Sequence, residues 1–181
     1  MIICAGDMES FDFATPIGIG LINSASNLTQ ICLEQKPKSL LFIGSAGSYT
    51  RDMKILDIYT SSSASNIENS FLLDSSYTPL ENLIKIEDSF IKDELVINSS
   101  NYITADFDIA QKYQEYKIYL ENMEFFAVLS IAKKFDIPVG GIFAITNYCD
   151  KDAHQDFIKN YQASKEKLTE YLYQNGYIIK E

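Results

Sequence analysis

Small and polar residues follow the apolar stretches of this sequence, and their types suit the binding of a small molecule. The turn "GSAG" at 44–47 could hold an anion on its backbone N–H groups. Tyr102 offers an aromatic face, Glu124 a carboxylate that accepts hydrogen bonds, and Asn147 an amide that both donates and accepts them. If the apolar stretches are strands of one sheet, these groups meet at the strand ends, where open α/β sheets bind ligands.

Each of these residues also has an ordinary structural interpretation. The 44–47 segment is compatible with a plain tight turn, and Tyr102 with packing. Glu124 opens a helical pattern, where the helix dipole favours an acid, and Asn147 could cap a turn. The only histidine, His154, lies in a first helical turn and is typical of a surface residue. Their joint occurrence at successive strand ends favours a binding site.

Apolar strand patterns alternate with amphipathic helix patterns along the chain. Strands that are apolar on both faces need a sheet that is covered on both sides. The sequence therefore predicts the α/β class, as a single three-layer α/β/α domain over residues 1–181 with a central mixed sheet. The predicted strands are 1–6, 39–47, 55–64, 95–103, 116–123 and 137–145, and the predicted helices are 20–35, 80–95, 124–135 and 152–176.

Length, charge and cysteine content exclude several classes of protein. A chain of 181 residues, 46% hydrophobic, suits one domain with a real core. A net charge of -10 argues against nucleic-acid binding. The longest apolar stretch, 137–145, is far shorter than the about 20 residues that span a bilayer. An acid at Asp7 does not fit a signal peptide. Cys4, Cys32 and Cys149 lack C-x-x-C spacing, which is typical of reduced thiols in a cytoplasmic protein.

Several segments, taken in order, resemble the nucleoside phosphorylase and nucleosidase superfamily. That superfamily includes purine nucleoside phosphorylases, uridine phosphorylases and methylthioadenosine/adenosylhomocysteine nucleosidases. The resemblance covers nearly the whole chain, although the chain is shorter than usual for the family, and its specific part is "NME" with "AITNYCDKDAH". It implies a phosphorylase/hydrolase-like fold and cleavage of the bond between ribose C1′ and a base nitrogen. The matching segments are "AGDME", "GIG", "IGSAGS", "NYI", "ENMEFFAVLSIAKKFDIPV" and "FAITNYCDKDAHQDF".

The resemblance assigns substrate contacts to residues near two strand ends. Glu124 matches a glutamate that accepts hydrogen bonds from the ribose 2′- and 3′-hydroxyls, and Met123 matches the apolar residue beneath the ribose. Tyr102 and Ile103 match the segment that binds the base, where an aromatic ring covers the purine face. Thr146 is also assigned to substrate binding.

Asn147 is the second expected catalytic residue, with Glu124. At this place the resemblance implies an aspartic acid in adenosine-cleaving nucleosidases, and an asparagine in phosphorylases that prefer 6-oxopurines. The amide NH2 can donate to purine N7 or to the 6-oxygen as negative charge builds there. We therefore expect inosine or guanosine as the substrate.

The resemblance also implies a phosphate pocket. Ser45, with the backbone of Gly44 and Ala46, matches the pocket for phosphate or for a catalytic water. Gly6 matches a glycine that lets the backbone approach the same anion. Arg51 is the only arginine in the chain and is expected to reach the anion locally or across an interface. No metal and no cofactor are expected, and inorganic phosphate is the expected co-substrate.

The chain departs from both kinds of relative. Phe42 and Phe143 stand where the phosphorylases have arginines that bind phosphate. Phe11 stands where the nucleosidases have a water-activating glutamate, although Glu9 is close in sequence. Neither set of nucleophile residues is therefore intact, which leaves a hydrolase and a non-catalytic nucleoside-binding or protein-binding relative open.

Taken together, the residues favour a purine nucleoside phosphorylase of purine salvage, a glycosyltransferase (pentosyltransferase) of nucleoside metabolism. It would convert a 6-oxopurine nucleoside and phosphate to free base and ribose 1-phosphate. The alternatives are a purine nucleosidase of the methylthioadenosine/adenosylhomocysteine type and a non-catalytic nucleoside-binding relative. The expected partners are a purine nucleoside, phosphate and further copies of the chain in a homodimer or higher homo-oligomer. Neither nucleic acid nor membrane is expected as a partner.

Overall fold

The computed structural model describes residues 1–92 and 95–179. It contains a nine-stranded mixed sheet with helices on both faces, so the predicted α/β/α fold with a central mixed sheet is confirmed. The strands are β1 (Ile2–Cys4), β2 (Thr15–Pro16), β3 (Leu40–Ser48), β4 (Ile58–Ser61), β5 (Ser63–Ser65), β6 (Leu83–Lys85), β7 (Val96–Ser99), β8 (Leu120–Asn122) and β9 (Val139–Tyr148). The helices are α1 (Leu21–Gln35), α2 (Asn69–Leu72), α3 (Phe107–Glu115), α4 (Phe125–Lys134) and α5 (Ala153–Gln174), and a 3-10 turn spans Asp7–Glu9.

Strand β3 organises the sheet because it pairs with several neighbours. It runs parallel to β1 on one side and to β9 on the other, and its last residues also pair antiparallel with β8. Strand β8 continues through β7 and β5 to β6, and β4 pairs antiparallel with β9. The C-terminal part of β3 therefore lies between β8 and β9, and residues of all three strands meet there.

Alternating residues of β3 divide the hydrophobic core between the two faces of the sheet. Phe42 packs with residues of α1 and α4 in one cluster. Leu41 and Ile43 pack with Leu168 and Leu172 of α5 in another. Because every second side chain of a strand points to the same face, this division is what a sheet covered on both sides requires.

The middle of the chain differs from the sequence-based prediction. The helix predicted at 80–95 is wrong, because β6 pairs there with β5, and Asp93 and Glu94 lie outside the described residues. The single strand predicted at 55–64 is divided into β4 and β5. Helix α3 was not predicted, although Asp106 caps it by accepting the backbone N–H groups of two residues in its first turn. The secondary structure of β4, β5 and β6 thus depends on pairing with strands that are distant in sequence.

Two further sequence expectations concern cysteines and membrane spans. Cys4, Cys32 and Cys149 are buried and free. Within the described ranges, no helix has the length and apolar character that crossing a bilayer requires.

Candidate active site

A pocket of about 250 Å³ lies where the C-terminal part of β3 meets β8 and β9. The 3-10 turn after β1, the loop after β7 and the first turns of α5 complete its walls. The sheet thus brings together residues that are widely separated in sequence, as is usual for ligand sites of α/β folds. The lining includes Glu9, Ser45, Tyr102, Glu124, Asn147 and His154.

Glu124 is held in a fixed position at the start of α4. One carboxylate oxygen, Oε1, accepts the backbone N–H of Gly20 at 3.0 Å. The other, Oε2, accepts Nδ2 of Asn122 and the backbone N–H of Met123, each at 3.2 Å. Burial first, and then the charge of Glu9, raise the pKa of Glu124 to about 8. The side chain can therefore exchange a proton near neutral pH while its position stays defined.

Glu9 reaches the pocket through the short 3-10 turn that follows β1. Its Oε1 accepts the backbone N–H of Ser45 at 2.5 Å. Burial raises the pKa of Glu9, and hydrogen bonds from Ser45 oppose that shift. Phe11, the position that the sequence count matched to a water-activating glutamate, instead packs in the core, with the Lys165 ammonium 5.4 Å from its ring centroid. Glu9, which the sequence analysis did not assign to the site, supplies a pocket carboxylate.

Asn147 lies in strand β9, which extends to Tyr148, beyond the end at 145 that the apolar pattern predicted. Its Oδ1 accepts the hydroxyl of Thr146 at 2.9 Å, and its Nδ2 donates to the backbone carbonyl of Tyr148 at 3.2 Å. The N-cap residue of α5 is Asp152, so Asn147 does not cap that helix. Thr146 is fully buried and is not part of the pocket lining, so it orients the Asn147 amide instead of facing a ligand.

Glu121 also lines the pocket, and sequence reasoning missed it. Only 4% of its surface is exposed. Its Oε2 accepts the hydroxyl of Tyr49 at 2.7 Å, and its Oε1 accepts the backbone N–H of Thr104 at 3.0 Å. Burial raises the pKa of this carboxyl group. The signal that could have found it is a carboxylate inside the otherwise apolar end of a strand pattern, just before Met123.

The rim of the pocket is aromatic and apolar. Tyr102 and Ile103 line it and are 77% and 52% exposed. Met123 lies in the wall of the pocket next to Glu124. The resemblance of the sequence implies that Met123 is the apolar residue beneath the ribose. His154 is exposed, as expected, but it also lines the pocket. These groups provide flat and apolar contact surface around the carboxylates.

The residues expected to bind phosphate are only partly brought together. Ser45 and Ala46 line the pocket, whereas Gly44 and Gly6 do not. A Cβ added to Gly44 would lie 3.1 Å from the Phe42 ring and 3.6 Å from Oε1 of Glu9, so this glycine leaves room chiefly for the Phe42 ring. The backbone N–H of Ser45, which an anion would need, is already donated to Glu9.

Arg51 lies outside the pocket, contrary to the expectation that it reaches a bound anion within the chain. Its guanidinium pairs with the carboxylate of Asp150 at 2.5 Å. It also lies 4.5 Å from the ring centroid of Tyr148 and 5.4 Å from that of Phe107. These contacts hold the only arginine against neighbouring side chains of the same chain, and its expected reach to an anion across an interface stays a prediction.

The titratable side chains that line the pocket are mainly acidic. Glu9, Glu121 and Glu124 line it, and its lining, within the part of the chain that the structure describes, includes no lysine and no arginine. Phe42 and Phe143, at the positions matched to phosphate-binding arginines, are buried with ring centroids 5.7 Å apart. The described residues also contain no group of histidine, cysteine, aspartate and glutamate side chains that could hold a metal ion.

Solved structures share this architecture. A futalosine hydrolase mutant of Helicobacter pylori strain 26695 superposes with a TM-score of 0.74 at 21% identity, covering 88% of this chain and 77% of that one. A mutant Helicobacter pylori methylthioadenosine/adenosylhomocysteine nucleosidase with 5′-methylthioadenosine in its active site gives a TM-score of 0.76 at 21% identity, covering 89% and 78%. Streptococcus pyogenes S-adenosylhomocysteine nucleosidase in complex with 5-methylthiotubericidin gives 0.77 at 14% identity, covering 94% and 92%.

The likeness to known proteins lies in the three-dimensional structure. No protein-family model matches the chain, and no curated protein sequence matches it. The neighbours named above cover most of this chain, and this chain covers more than three quarters of each of them. The chain therefore has the fold of the nucleoside phosphorylase and nucleosidase superfamily, as the resemblance of its sequence implied.

Proposed function

We propose that the protein hydrolyses the N-glycosidic bond of a purine nucleoside. The observation that carries this proposal is the carboxylate of Glu9, which faces the pocket and accepts the backbone N–H of Ser45 at 2.5 Å. A carboxylate held in this way can accept a proton from water. The residue types in the sequence favour phosphorolysis, but the pocket supports the alternative, hydrolysis, better.

In the proposed reaction, water bound next to Glu9 attacks ribose C1′ as the bond from C1′ to the base nitrogen breaks. The electron pair of that bond leaves with the purine, so the sugar gains positive charge and the base negative charge. Glu9 takes one proton from the water, and the departing purine anion takes one proton from solvent. Glu9 then returns its proton to solvent, so that one water molecule is consumed in each turnover. The products are ribose and the free base.

Glu124 serves the sugar in this proposal. Its ionised carboxylate accepts hydrogen bonds from ribose hydroxyls and favours the positive charge that develops on the sugar. The donors from Gly20 and Met123 already fix its orientation, which reduces the reorganisation needed during reaction. Met123 provides the apolar surface beneath the ribose.

Asn147 serves the base. Its Nδ2 group donates to purine N7 or to the 6-oxygen as negative charge develops there, and the Thr146 hydroxyl keeps the amide in the required orientation. Tyr102 and Ile103 cover the face of the base from the rim. Because Asn147 is an amide, the proposed substrate is a 6-oxopurine nucleoside such as inosine or guanosine.

The electrostatics of the pocket disfavour phosphate as the nucleophile. Glu9 and Glu124 are close enough for the charge of Glu9 to raise the pKa of Glu124, and a phosphate dianion would add further negative charge. Arg51 is paired with Asp150, outside the lining. A water molecule carries no charge and meets no such barrier. Structural neighbours described as nucleosidases and as a hydrolase also favour water.

Measurement of base release with and without inorganic phosphate tests the proposal. The substrates are inosine, guanosine, adenosine and methylthioadenosine. We expect equal rates in both conditions, with ribose as the sugar product. A rate that depends on phosphate, with ribose 1-phosphate as product, would establish the phosphorylase instead. Nucleoside binding by calorimetry without turnover would indicate a non-catalytic nucleoside-binding protein.

A further inference from the structure

The 3-10 turn after β1 and the residues that follow it lie between two cavities. On one side, Glu9 faces the candidate active-site pocket. On the other side, Ser10, Phe11 and Lys165 line a groove of about 1160 Å³ between this segment and α5. The proposed base and a lysine of α5 therefore lie on different sides of one short segment.

Lys165 is held against this segment by an aromatic ring. Its Nζ lies 5.4 Å from the ring centroid of Phe11, which follows Glu9 by two residues. The face of an aromatic ring attracts a cation, and Phe11 is itself fixed because it packs in the core with Leu168. Among the described residues, the cations that form ion pairs are others, namely Arg51, Lys133, Lys151 and Lys167. The charge of Lys165 is therefore not neutralised by an ion pair within that part of the chain.

The charge of Lys165 acts on two groups near the turn. Burial raises the pKa of Glu9, and the hydrogen bonds from Ser45 and then the charge of Lys165 oppose that shift. Burial also raises the pKa of the Cys4 thiol, and the charge of Lys165 opposes that shift too. Because Cys4 and Phe11 are buried next to these charges, water screens the charge of Lys165 less than at an open surface.

The other titratable groups around Glu9 supply no positive charge that opposes burial. Those that share the pocket with it are Tyr102, Glu121, Glu124 and His154. Its own turn adds Asp7, which is exposed, and β1 adds the Cys4 thiol. In the groove, the acids that face Lys165 are Asp12, Glu166 and Glu170. In this acidic setting Lys165 is the described cation whose charge favours an ionised Glu9.

We propose that Lys165 is a positioning residue of the reaction whose ammonium group, held on the ring of Phe11, stabilises the ionised carboxylate of Glu9; this inference rests on the proposed function. Glu9 must be ionised to take a proton from water. Lys165 is not part of the pocket lining, so it touches neither the nucleoside nor the attacking water. It therefore changes the rate only at pH values where Glu9 is partly protonated.

A purely structural role of Lys165 makes a different prediction. In that case the methylene groups of the side chain would pack on Phe11 and hold the turn, and the charge would be irrelevant. Lys165→Met keeps an unbranched apolar side chain but removes the charge, whereas Lys165→Arg keeps the charge. A packing role would be preserved by methionine, and an electrostatic role would be preserved by arginine alone.

The first test measures the titration of Glu9 directly and needs no activity. Protein labelled with 13C at the glutamate carboxyl groups is titrated by NMR, and the Glu9 resonance is identified by its loss in Glu9→Gln. We expect the Glu9 titration to move to higher pH in Lys165→Met and to return to that of the parent in Lys165→Arg. The matched control is Lys167→Met, because Lys167 pairs with Glu170 and does not line the groove. The control should titrate as the parent does.

The second test measures kcat/KM for inosine as a function of pH in the same variants. Below about pH 6, Lys165→Met should be roughly 3- to 10-fold less active than the parent, because fewer of its Glu9 side chains are ionised. At about pH 9 the two proteins should be equally active. Lys165→Arg and Lys167→Met should follow the parent throughout. Circular dichroism and thermal melting establish that each variant is folded, and Lys165→Gln takes the place of a methionine variant that does not fold.

The outcomes separate this inference from the proposed function. An identical Glu9 titration in the parent and in Lys165→Met would overturn the role of Lys165 and leave hydrolysis intact. A loss of activity that is equal at every pH would also overturn it, in favour of packing. A Glu9 titration that moves to higher pH in Lys165→Met, in a protein that cleaves no nucleoside, would support the effect of the charge and remove the hydrolase.

Discussion

The carboxyl groups of Glu9 and Glu124 face one pocket although the two residues lie on opposite sides of β3 in sequence. Glu9 accepts the backbone N–H of Ser45, and Glu124 accepts that of Gly20. Each carboxylate is thus fixed by a backbone donor, and the negative charge of Glu9 adds to burial in raising the pKa of Glu124. An ionised Glu9 would repel a phosphate dianion in this small pocket, which supports the proposed use of water as the nucleophile.

The first prediction concerns the pH dependence of activity. Glu124 must be ionised to accept hydrogen bonds from ribose hydroxyls, and its pKa is raised to about 8. Glu9 must also be ionised to accept a proton, and its pKa is raised as well. We expect kcat/KM, which reports groups of the free enzyme, to rise with pH up to about 8. A profile that is flat from pH 5 to about 9 would contradict the assigned roles.

The second prediction concerns stability. The pKa of Glu124 is higher in the folded protein, at about 8, than its ordinary value of 4.5. The folded state therefore binds more protons than the unfolded state between these values, so the free energy of unfolding falls as pH rises through this window. Glu124→Gln should make this fall shallower, by at most about 1.4 kcal/mol per pH unit.

Urea unfolding between pH 5 and about 9 measures this slope. Glu170→Gln is the control, because Glu170 is an exposed residue of α5. The control should keep the slope of the parent protein. An equal slope in the parent and in Glu124→Gln would show that Glu124 does not hold a proton more tightly in the folded state.

The third prediction concerns Glu9 as the base. Glu9→Gln keeps an oxygen that can accept the Ser45 N–H but cannot take a proton from water. We expect kcat to fall by about 100- to 10,000-fold for every nucleoside, with little change in thermal stability. Asp7→Asn, a change at an exposed acid of the same turn, should retain activity. Full activity in Glu9→Gln would remove Glu9 from the mechanism.

The fourth prediction concerns Asn147. Asn147→Asp keeps the shape of the side chain but replaces the NH2 donor with an oxygen. The inosine-to-adenosine ratio of kcat/KM should fall by about 10- to 150-fold, the equivalent of one charged hydrogen bond. Thr146 can donate to an aspartate as well as to the amide, whereas the donor to the Tyr148 carbonyl is lost, so thermal melting is measured to establish that the variant is folded. An unchanged ratio in a folded variant would separate Asn147 from base recognition.

The fifth prediction concerns assembly. Exposed apolar side chains surround the mouth of the pocket, including Ile19, Tyr102 and Ile103. We expect a homodimer or a higher homo-oligomer in which a neighbouring copy covers this rim. Light scattering at micromolar concentration measures the mass. A monomer that cleaves nucleosides at full rate would show that one chain suffices.

The layered α/β architecture and most of the predicted residues that line the pocket, Glu124 and Asn147 among them, were accessible from the sequence alone. Long apolar patterns at 39–47 and 137–145 predicted β3 and β9. A strand that is buried on both faces is a continuous run of apolar residues, so it is recognised without knowing which strands pair with it. Glu124 and Asn147 were found because each stands where an apolar pattern turns polar, and such positions converge at one edge of a sheet.

Which further carboxylates reach the pocket depends on the three-dimensional arrangement of the chain. Glu9 enters it because the 3-10 turn and a left-handed Asp7, with φ of 51°, redirect the chain after β1. Glu121 was concealed by the apolar pattern around it, and its position next to Asn147 depends on how β8 and β9 pair with Gly47. Pairing between distant segments sets these distances, so no local pattern of residues contains them.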